Sequence, residues 1–594
     1  MNQQPLLQRL LQRFRHQLAN VDALPQLAIL GFIAGLFTGI VIVLFRAAVE
    51  IPLSLLLPFQ DHENFEGISP LWRSILPCLG IIALVAFFSR LAAQHRKVGI
   101  AHVIERLNFH QGHLPWKNFS SQFFGGVIAL MSGQSCGREG PAVHLGAAGS
   151  SLLGQWLKLP NNSIRTLVGC GSAAAIAAGF NTPMAGVIFA MEVIMMEYTI
   201  VGFTPVIIAS VTAAVVSQLV YGAEPAFIVP QLQMGSLTEL PLMILEAVVI
   251  GSLAAAFIWL VRFFYQLKFS WWQKMLTIGF VTGAVGIYIP EVLGIGYDTV
   301  NEILVGNLTW QLLILLLPCK LIITAAVCGT GIPGGIIGPS LLIGATFGAL
   351  TGVASFTLFP TNTASEGFYA MLGMGAMMGA VLQAPLAALI AVLELTQNPN
   401  IILPAMLVIV VANLTSSEIF KQPSIFTALL KEQGLDPTSD PLSQALRRIG
   451  VASMMDRRFV RLPRQCNYDD ACQALESKPM WVVIDEKQPV AILLAADLAR
   501  YLEAKRSSKS AEIENPDDDD ALLDLLALPG QRKDITPLYI QATLQEAREK
   551  LKQTGVEALY IQNVGAPLIS PINGILTKED IERYYHLKNS PNRR

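Results

Sequence analysis

The run GQSCGREGPAVHLG, residues 133–146, decides how the chain is read. Arg138 and Glu139 stand between Gly137 and Gly140, immediately before Pro141 and an apolar segment. Proline favours the first turn of a helix, so Pro141 marks a helix start. The glycines leave backbone N–H groups free to face a ligand. A helix N-terminus carries about half a positive charge, which makes this one an anion site. Glu139 puts an ionisable side chain beside that site, where such groups are costly and usually functional. Its carboxylate can occupy the site as a tethered anion, and protonation would neutralise it and let it leave. Pairing with Arg138 alone is the plain structural alternative.

The block recurs. Gly133, Gly137, Pro141 and Gly146 have counterparts of identical spacing at Gly331, Gly335, Pro339 and Gly344, inside GTGIPGGIIGPSLLIG (329–344). Further on, GSAAAIAAGFNTPMAGVIFAME (171–192) aligns without gaps to GMGAMMGAVLQAPLAALIAVLE (373–394), matching Pro183 to Pro385 and Glu192 to Glu394. Two halves, roughly 27–220 and 240–430, read as a duplication. Transporter folds place substrate between such repeats, at the ends of broken helices. The second block carries no charge. It offers backbone, and the amides of Ile336 and Ile337, beside Gly335, would face the same anion. Weak binding of this kind suits conduction.

The surrounding chain is built for a bilayer. Of 594 residues, 53 % are hydrophobic and 14 % charged, against about 25 % charged in soluble proteins. Mean hydropathy is +0.50. Of the 84 Lys, Arg, Asp and Glu residues, 48 follow residue 430. Residues 321–365, 367–393 and 395–417 carry none of them, whereas a spanning helix needs only about 20 such residues. The first clear span is Leu27–Phe45, too long for a signal-peptide core. Further apolar stretches lie near 74–88, 119–132, 166–196, 200–221, 240–264, 275–290, 310–328, 334–358, 368–395 and 399–415. Several are short or broken by Gly and Pro, which lipid tolerates only where the backbone is buried or lines a polar cavity. Residues 1–26 are amphipathic and basic and read as a cytoplasmic surface helix.

Net charge is −2, so no global field draws nucleic acid. Seven cysteines without a CxxC pair suggest neither a disulfide framework nor a zinc module. No Walker loop, zinc signature or nucleophile elbow is present, and Ser135 and Cys136 have no evident base. An enzyme is not expected.

GREGP at 137–141, GIPGGIIGP at 331–339 and FNTPMAGVIFAMEV at 180–193 resemble the signatures of CLC chloride channels and transporters. The resemblance covers about 30–430. It implies an all-α membrane domain of two inverted repeats (27–430), and a homodimer with one pathway per subunit for chloride or a related anion. It places the protein in a plasma or bacterial inner membrane, in contact with lipid, with both termini cytoplasmic. Glu139 matches the external gating glutamate, with Gly137, Arg138, Gly140 and Pro141 around it. Ile336 and Ile337 match the residues whose amides hold the central anion.

Three positions depart from the family pattern. Val98, in KVGIAHVIERL, stands where a serine hydroxyl would touch the anion, and Phe426 replaces the pore tyrosine. Val193 occupies the place of the internal proton-accepting glutamate, directly after Glu192. Glu192 reads as a helix-end residue, and Glu197 is the remaining candidate to accept a proton nearby. His144 reads as a packed or capping residue. Channel-like or weakly proton-coupled chloride movement is therefore expected. The alternatives are a chloride/proton antiporter with a displaced acceptor, or a path for another anion such as fluoride.

After Lys431 the composition turns globular. Trp481–Asp485 followed by AILLAADLARYL (491–502), and Ala558–Gln562 followed by GILTKEDIERYY (574–585), repeat a strand, turn, strand and helix. The pair is similar to the α+β CBS tandem of many CLC proteins. Its units would be 446–505 and 534–588, joined by an acidic linker, 506–533. Such pairs often bind an adenine nucleotide (ATP, ADP or AMP). By the resemblance Thr577 and Asp580 would hold a ribose in the second unit. In the first, Leu494 replaces the hydroxyl and Asp497 remains. Helix capping by Asp497 and Asp580 is the alternative. No other cofactor and no metal is expected.

Overall fold

The computed structural model describes residues 18, 23–56, 65–198, 200–224, 227, 235–358, 364–436, 441–486, 488–509, 522–563 and 572–589. Most of the expected N-terminal surface helix and of the acidic run 507–520 lies outside them. The chain divides into two compact units. One comprises Leu27–Leu157 with Ile164–Thr438, the other Met1–Gln26, Lys158–Ser163 and Ser439–Arg594.

The first unit is helical. Its elements are α1 (Leu24–Leu56), α2 (Pro70–Ser89), α3 (Gly99–Phe109), α4 (Trp116–Met131), α5 (Glu139–Trp156), α6 (Asn161–Phe180), α7 (Pro183–Phe189) and α8 (Ile200–Tyr221). The second half adds α9 (Leu240–Gln266), α10 (Trp271–Tyr288), α11 (Tyr297–Val305), α12 (Trp310–Thr330), α13 (Ile337–Leu358), α14 (Glu366–Leu382), α15 (Pro385–Thr396), α16 (Ile402–Leu414) and α17 (Ile425–Glu432). Among the described residues, eight helices are long and apolar enough to cross a membrane. Outward-facing side chains such as Ile29, Leu44, Leu55, Leu219 and Leu403 are exposed and apolar, as a lipid-facing surface requires. This is a multi-span membrane protein.

Two of the longer apolar stretches are interrupted at a proline. The stretch 166–196 divides into α6, α7 and a π-helical turn, Ala190–Met195. The stretch 368–395 divides into α14 and α15. The cause is the same in both. Asn181 (φ 58°) and Gln383 (φ 52°) are left-handed, and Pro183 and Pro385 then open the next helix. A proline cannot continue the preceding ladder, and the residue before it is pushed out of the helical region.

Two further features repeat across the halves. A Cβ on Gly146 would lie 2.2 Å from the Gly171 carbonyl oxygen, and one on Gly344 would lie 2.1 Å from that of Gly373. Only glycine permits this backbone approach. The carboxylate of Glu394 accepts the amides of Met184 (2.9 Å) and Ala185 (2.7 Å) at the start of α7. Glu192 accepts those of Leu386 (3.4 Å) and Ala387 (2.8 Å) at the start of α15. Each half thus caps a helix of the other.

The second unit contains α18 (Pro441–Arg447), β1 (Phe459–Pro463), β2 (Gln465–Cys466), α19 (Tyr468–Glu476), β3 (Trp481–Asp485), β4 (Pro489–Leu494) and α20 (Ala495–Lys509). It continues with β5 (Leu523–Asp524), β6 (Arg532–Tyr539), α21 (Leu544–Thr554), β7 (Ala558–Gln562), β8 (Ile572–Thr577) and α22 (Lys578–Asn589). Six strands form one sheet in the order β1-β3-β4-β6-β7-β8. In β1-β3-β4 and again in β6-β7-β8, a parallel pair is followed by an antiparallel one. The expected boundaries shift. Leu446, Ile449 and Val451 pack with Leu544, Leu559 and Leu576 in the second half of the sheet unit, not the first. The expected linker also contains the end of α20 and β5, because Leu523 and Leu525 fill the core beside Leu493 and Leu498.

Candidate functional site

The two glycine-rich blocks meet. Gly137 and Gly335 exchange both backbone hydrogen bonds, Gly137 N to Gly335 O at 2.8 Å and Gly335 N to Gly137 O at 2.6 Å. A Cβ on Gly140 would lie 2.6 Å from the Gly334 carbonyl oxygen. Each loop is also drawn in by matching turns, Cys136 N to Gln134 O (2.7 Å) and Gly334 N to Ile332 O (2.8 Å). The starts of α5 and α13 are thereby held together.

Glu139 sits at that junction and is fully buried. The helix begins at Glu139, two residues before Pro141. Pro141 stays within the first turn, where its missing N–H costs no helical bond. The Glu139 carboxylate does not turn to Arg138. Its Oε1 accepts the Gly338 amide at 2.8 Å and the Tyr297 hydroxyl at 3.3 Å. Oε2 has no hydrogen-bond partner. A Cβ on Gly335 would lie 2.3 Å from Oε2, so that glycine leaves the room the carboxylate fills. The amide that reaches Glu139 belongs to Gly338, the second residue of α13, whose N–H is among the unpaired first four of that helix. Ile336 and Ile337, the expected donors to a transported anion, directly precede it.

The residues on either side of Glu139 open on different cavities. Arg138 lines a small one of about 40 Å³ together with Arg46, Glu50 and Ile295. Arg138 donates to Glu50 at 3.4 Å, and Arg46 to the same oxygen at 3.1 Å. Gly140 lines a larger cavity of about 470 Å³ that also contains Val98, Gly99, Gly335, Ile336 and Phe426. The structure therefore brings Val98, Phe426, Ile336, Gly335 and Gly140 to one place. Neither Val98 nor Phe426 supplies a hydroxyl there. The loop carrying Val98 is fixed by Asn118, which donates to the carbonyls of Gln94 (3.0 Å) and Lys97 (2.8 Å), and by Gln122, which accepts the Gly99 amide at 2.7 Å.

The residues weighed as an internal proton position lie apart from one another in their contacts. Val193 is buried in the π-helical turn. Glu192 is occupied at the start of α15. Glu197 pairs with Arg165 at 3.9 Å.

Sequence reasoning missed Tyr297. It follows Gly296, which is left-handed at φ 88°, and opens α11. The preceding loop is pinned by Lys320, whose buried ammonium donates to the carbonyls of Val292 (2.9 Å) and Gly294 (3.0 Å). A lysine within apolar α12, and a tyrosine after GIG, were the available signals.

In the second unit, Thr577 and Asp580 face each other. The Thr577 hydroxyl donates to Asp580 Oδ2 at 2.7 Å, the Thr577 amide reaches the same oxygen at 3.0 Å, and the Asp580 amide returns to Thr577 Oγ1 at 3.3 Å. This is a helix cap on α22. Asp497 accepts the Gln531 amide at 3.2 Å and lies 3.5 Å from Arg500. Elsewhere in this unit, hydrogen bonding by Arg458 holds the Asp456 carboxyl below its usual range, and Arg464 does the same for Asp524.

A model of the voltage gated chloride channel family matches residues 78–417. The H(+)/Cl(-) exchange transporter ClcA of Vibrio cholerae is 28 % identical over 414 residues, covering 68 % of this chain and 88 % of that protein. A slow cyanobacterial Cl-/H+ antiporter shares the fold with a TM-score of 0.61 at 23 % identity, over 68 % of this chain and 97 % of its own. A eukaryotic CLC transporter aligns over 93 % of this chain and 97 % of its own, with a TM-score of 0.57 at 17 % identity.

Proposed function

The chain belongs to the voltage gated chloride channel family, and on that premise we propose that it moves chloride through a pathway closed in each subunit by Glu139. One observation carries this reading: the Glu139 carboxylate takes a helix-start amide and a hydroxyl, as a bound anion would, between the cavity of Arg138 and that of Gly140. A proton on Glu139 removes the charge that holds it there. Beside Gly140 the path presents glycine backbone and the apolar side chains of Ile336, Val98 and Phe426, a lining that binds a weakly hydrated anion without trapping it. The work is translocation, not bond chemistry. Liposome chloride efflux between pH 4 and 8 tests the gate. Glu139→Gln and Glu139→Ala remove the part of the pH dependence that the gate imposes and leave the path open. A variant with the wild-type pH response rejects Glu139 as the gate.

Proton coupling is weak in this reading, because Val193 carries no proton and Glu192 is committed to a helix end. External pH during chloride flux into proteoliposomes measures it. A second reading, exchange through a displaced inner acceptor, is favoured by the ClcA relative, whose name describes an H(+)/Cl(-) exchanger. Fixed-ratio proton pumping decides for that reading, and its loss in Glu197→Gln would identify Glu197 as the acceptor. The protein acts as a homodimer with both termini cytoplasmic, which cross-linking and protease access to sealed vesicles check.

The C-terminal unit acts as a CBS pair, supported by its twice-repeated strand order. An adenine nucleotide (ATP, ADP or AMP) held near Thr577 and Asp580 would raise the melting temperature of that unit, since a ligand that binds only the folded form shifts unfolding. Because these two residues cap α22, Thr577→Ala with Asp580→Ala lowers the unliganded melting point as well. The nucleotide-dependent increment is therefore the quantity to compare. No increment at millimolar nucleotide leaves the pair a scaffold.

A further inference from the structure

Two buried histidines from different helices meet beside the larger cavity. His102 Nδ1 and His144 Nε2 are 2.9 Å apart, and the rings lie nearly parallel at 21° with centroids 5.2 Å apart. His102 is on α3 and lines the cavity shared by Gly140, Ile336 and Phe426. His144 is on α5, five residues after Glu139, and is fully buried. Its Nδ1 has no hydrogen-bond partner. A neutral imidazole has one donor and one acceptor nitrogen, so the pair shares one proton across the 2.9 Å contact and leaves a polar atom stranded. An apolar pair of the same size would pack without that loss. Two imidazoles in hydrogen-bond contact can take up one more proton and hold it as a charge-assisted pair.

We propose that His102 and His144 together form an inner proton-binding site that loads a proton when an anion occupies the cavity. The inference rests on the anion-transport reading and offers its exchange alternative an acceptor other than Glu197. Neither Val98 nor Phe426 offers the cavity a hydroxyl donor. A proton on the pair supplies positive charge to the same space. Linkage then makes anion and proton favour each other to the same degree.

The charges around the pair are set. On the helix of His102 are Glu105 and Arg106, with His110 just past its end. Glu105 is bound to Lys97 at 2.9 Å, and Arg106 donates to the His113 carbonyl at 2.7 Å. On α5 the remaining titratable group is Glu139. On α17, packed against α3, are Lys431 and Glu432, and Glu432 is held by Arg262 at 2.7 Å. The π-helical turn brings Glu192, already spent on α15. Arg96 and Lys274 share the cavity wall.

The test uses the full chain purified in detergent, in a Glu139→Gln background so that the gate does not titrate. Chloride binding is measured by calorimetry at pH 5 and pH 8, in two buffers of different ionisation heat. The expected result is net proton uptake on chloride binding, with affinity at pH 5 at least about fivefold higher than at pH 8. His102→Gln with His144→Gln should abolish the uptake and hold affinity at its pH 8 value throughout. If the double variant does not fold, His102→Gln alone carries the same expectation. Chloride binding without proton uptake, or uptake that survives in the variants, overturns the proposal and leaves the anion reading intact. No chloride binding at either pH overturns both.

Discussion

Tyr297 is one hydroxyl on one carboxylate, and its removal isolates what that contact contributes. The bond to Glu139 Oε1 is 3.3 Å long and buried. A net value of about 1 kcal/mol for such a bond corresponds to roughly a fivefold change in an equilibrium. Tyr297→Phe should therefore weaken the closed arrangement and raise chloride efflux at pH 7 by about that factor. In Glu139→Gln liposomes the same substitution should raise efflux much less, because the gate is already released. Equal effects in both backgrounds would place Tyr297 in packing only. In the second unit, Asp456 titrates below its usual range because of Arg458. Its contribution is fully present above the unfolded value of about 3.9 and is lost as pH falls through the lower folded value. The melting temperature of a fragment from residue 441 should fall below about pH 4, and Arg458→Ala should flatten that fall. Glu139 was legible because a charge in an apolar, glycine-rich run needs a reason. Tyr297 and His102 were not, since what distinguishes them is a partner distant in the chain, 158 and 42 residues away.

At the scale of the element, the capping glutamates separate two readings that a sequence leaves together. Glu192 directly precedes the internal proton position at Val193 and also reads as a helix-end residue, and its carboxylate lies on the amides of Leu386 and Ala387. Glu192→Gln should lower the melting temperature through loss of a charged acceptor, about 1.5–3 kcal/mol, and leave the pH dependence of flux where it was. A displaced pH profile would return Glu192 to the proton path. The glycines offer a matched contrast. A Cβ on Gly373 would lie 2.2 Å from the Gly344 carbonyl oxygen, while one on Gly179 has nothing within 4 Å. Gly373→Ala should force α13 from α14, cost about 1–3 kcal/mol or more and reduce monodisperse protein. Gly179→Ala should be neutral or stabilising by about 0.5–1 kcal/mol. The helix content was legible from long uncharged runs. The breaks at Asn181–Pro183 and Gln383–Pro385 were not fully so, because hydropathy continues across them and only the backbone turns.

For the whole molecule, the duplication was the most legible feature, because spacing survives where residue identity does not. What spacing could not supply was the way the halves interlock: Gly137 against Gly335, and each glutamate on the other half's helix. Residues 1–224 expressed alone should accordingly be protease-sensitive and unstable in detergent, and co-expression with residues 235–594 should rescue them. A stable isolated half would show that the reciprocal bonds are dispensable. The C-terminal unit was legible as two similar pieces, but not that residues before β1 complete the second of them. The reciprocal caps also set a condition on how the protein is made. The Met184 amide leaves the ribosome 210 residues before Glu394. At about 5–20 residues per second, that interval is roughly 10–40 s. Throughout it the first half has entered the bilayer with the start of α7 bare, a condition that hydrocarbon penalises. The insertion machinery must therefore shelter that helix end until its acceptor arrives, and chains stalled between residues 224 and 394 are the ones that quality control should recognise first.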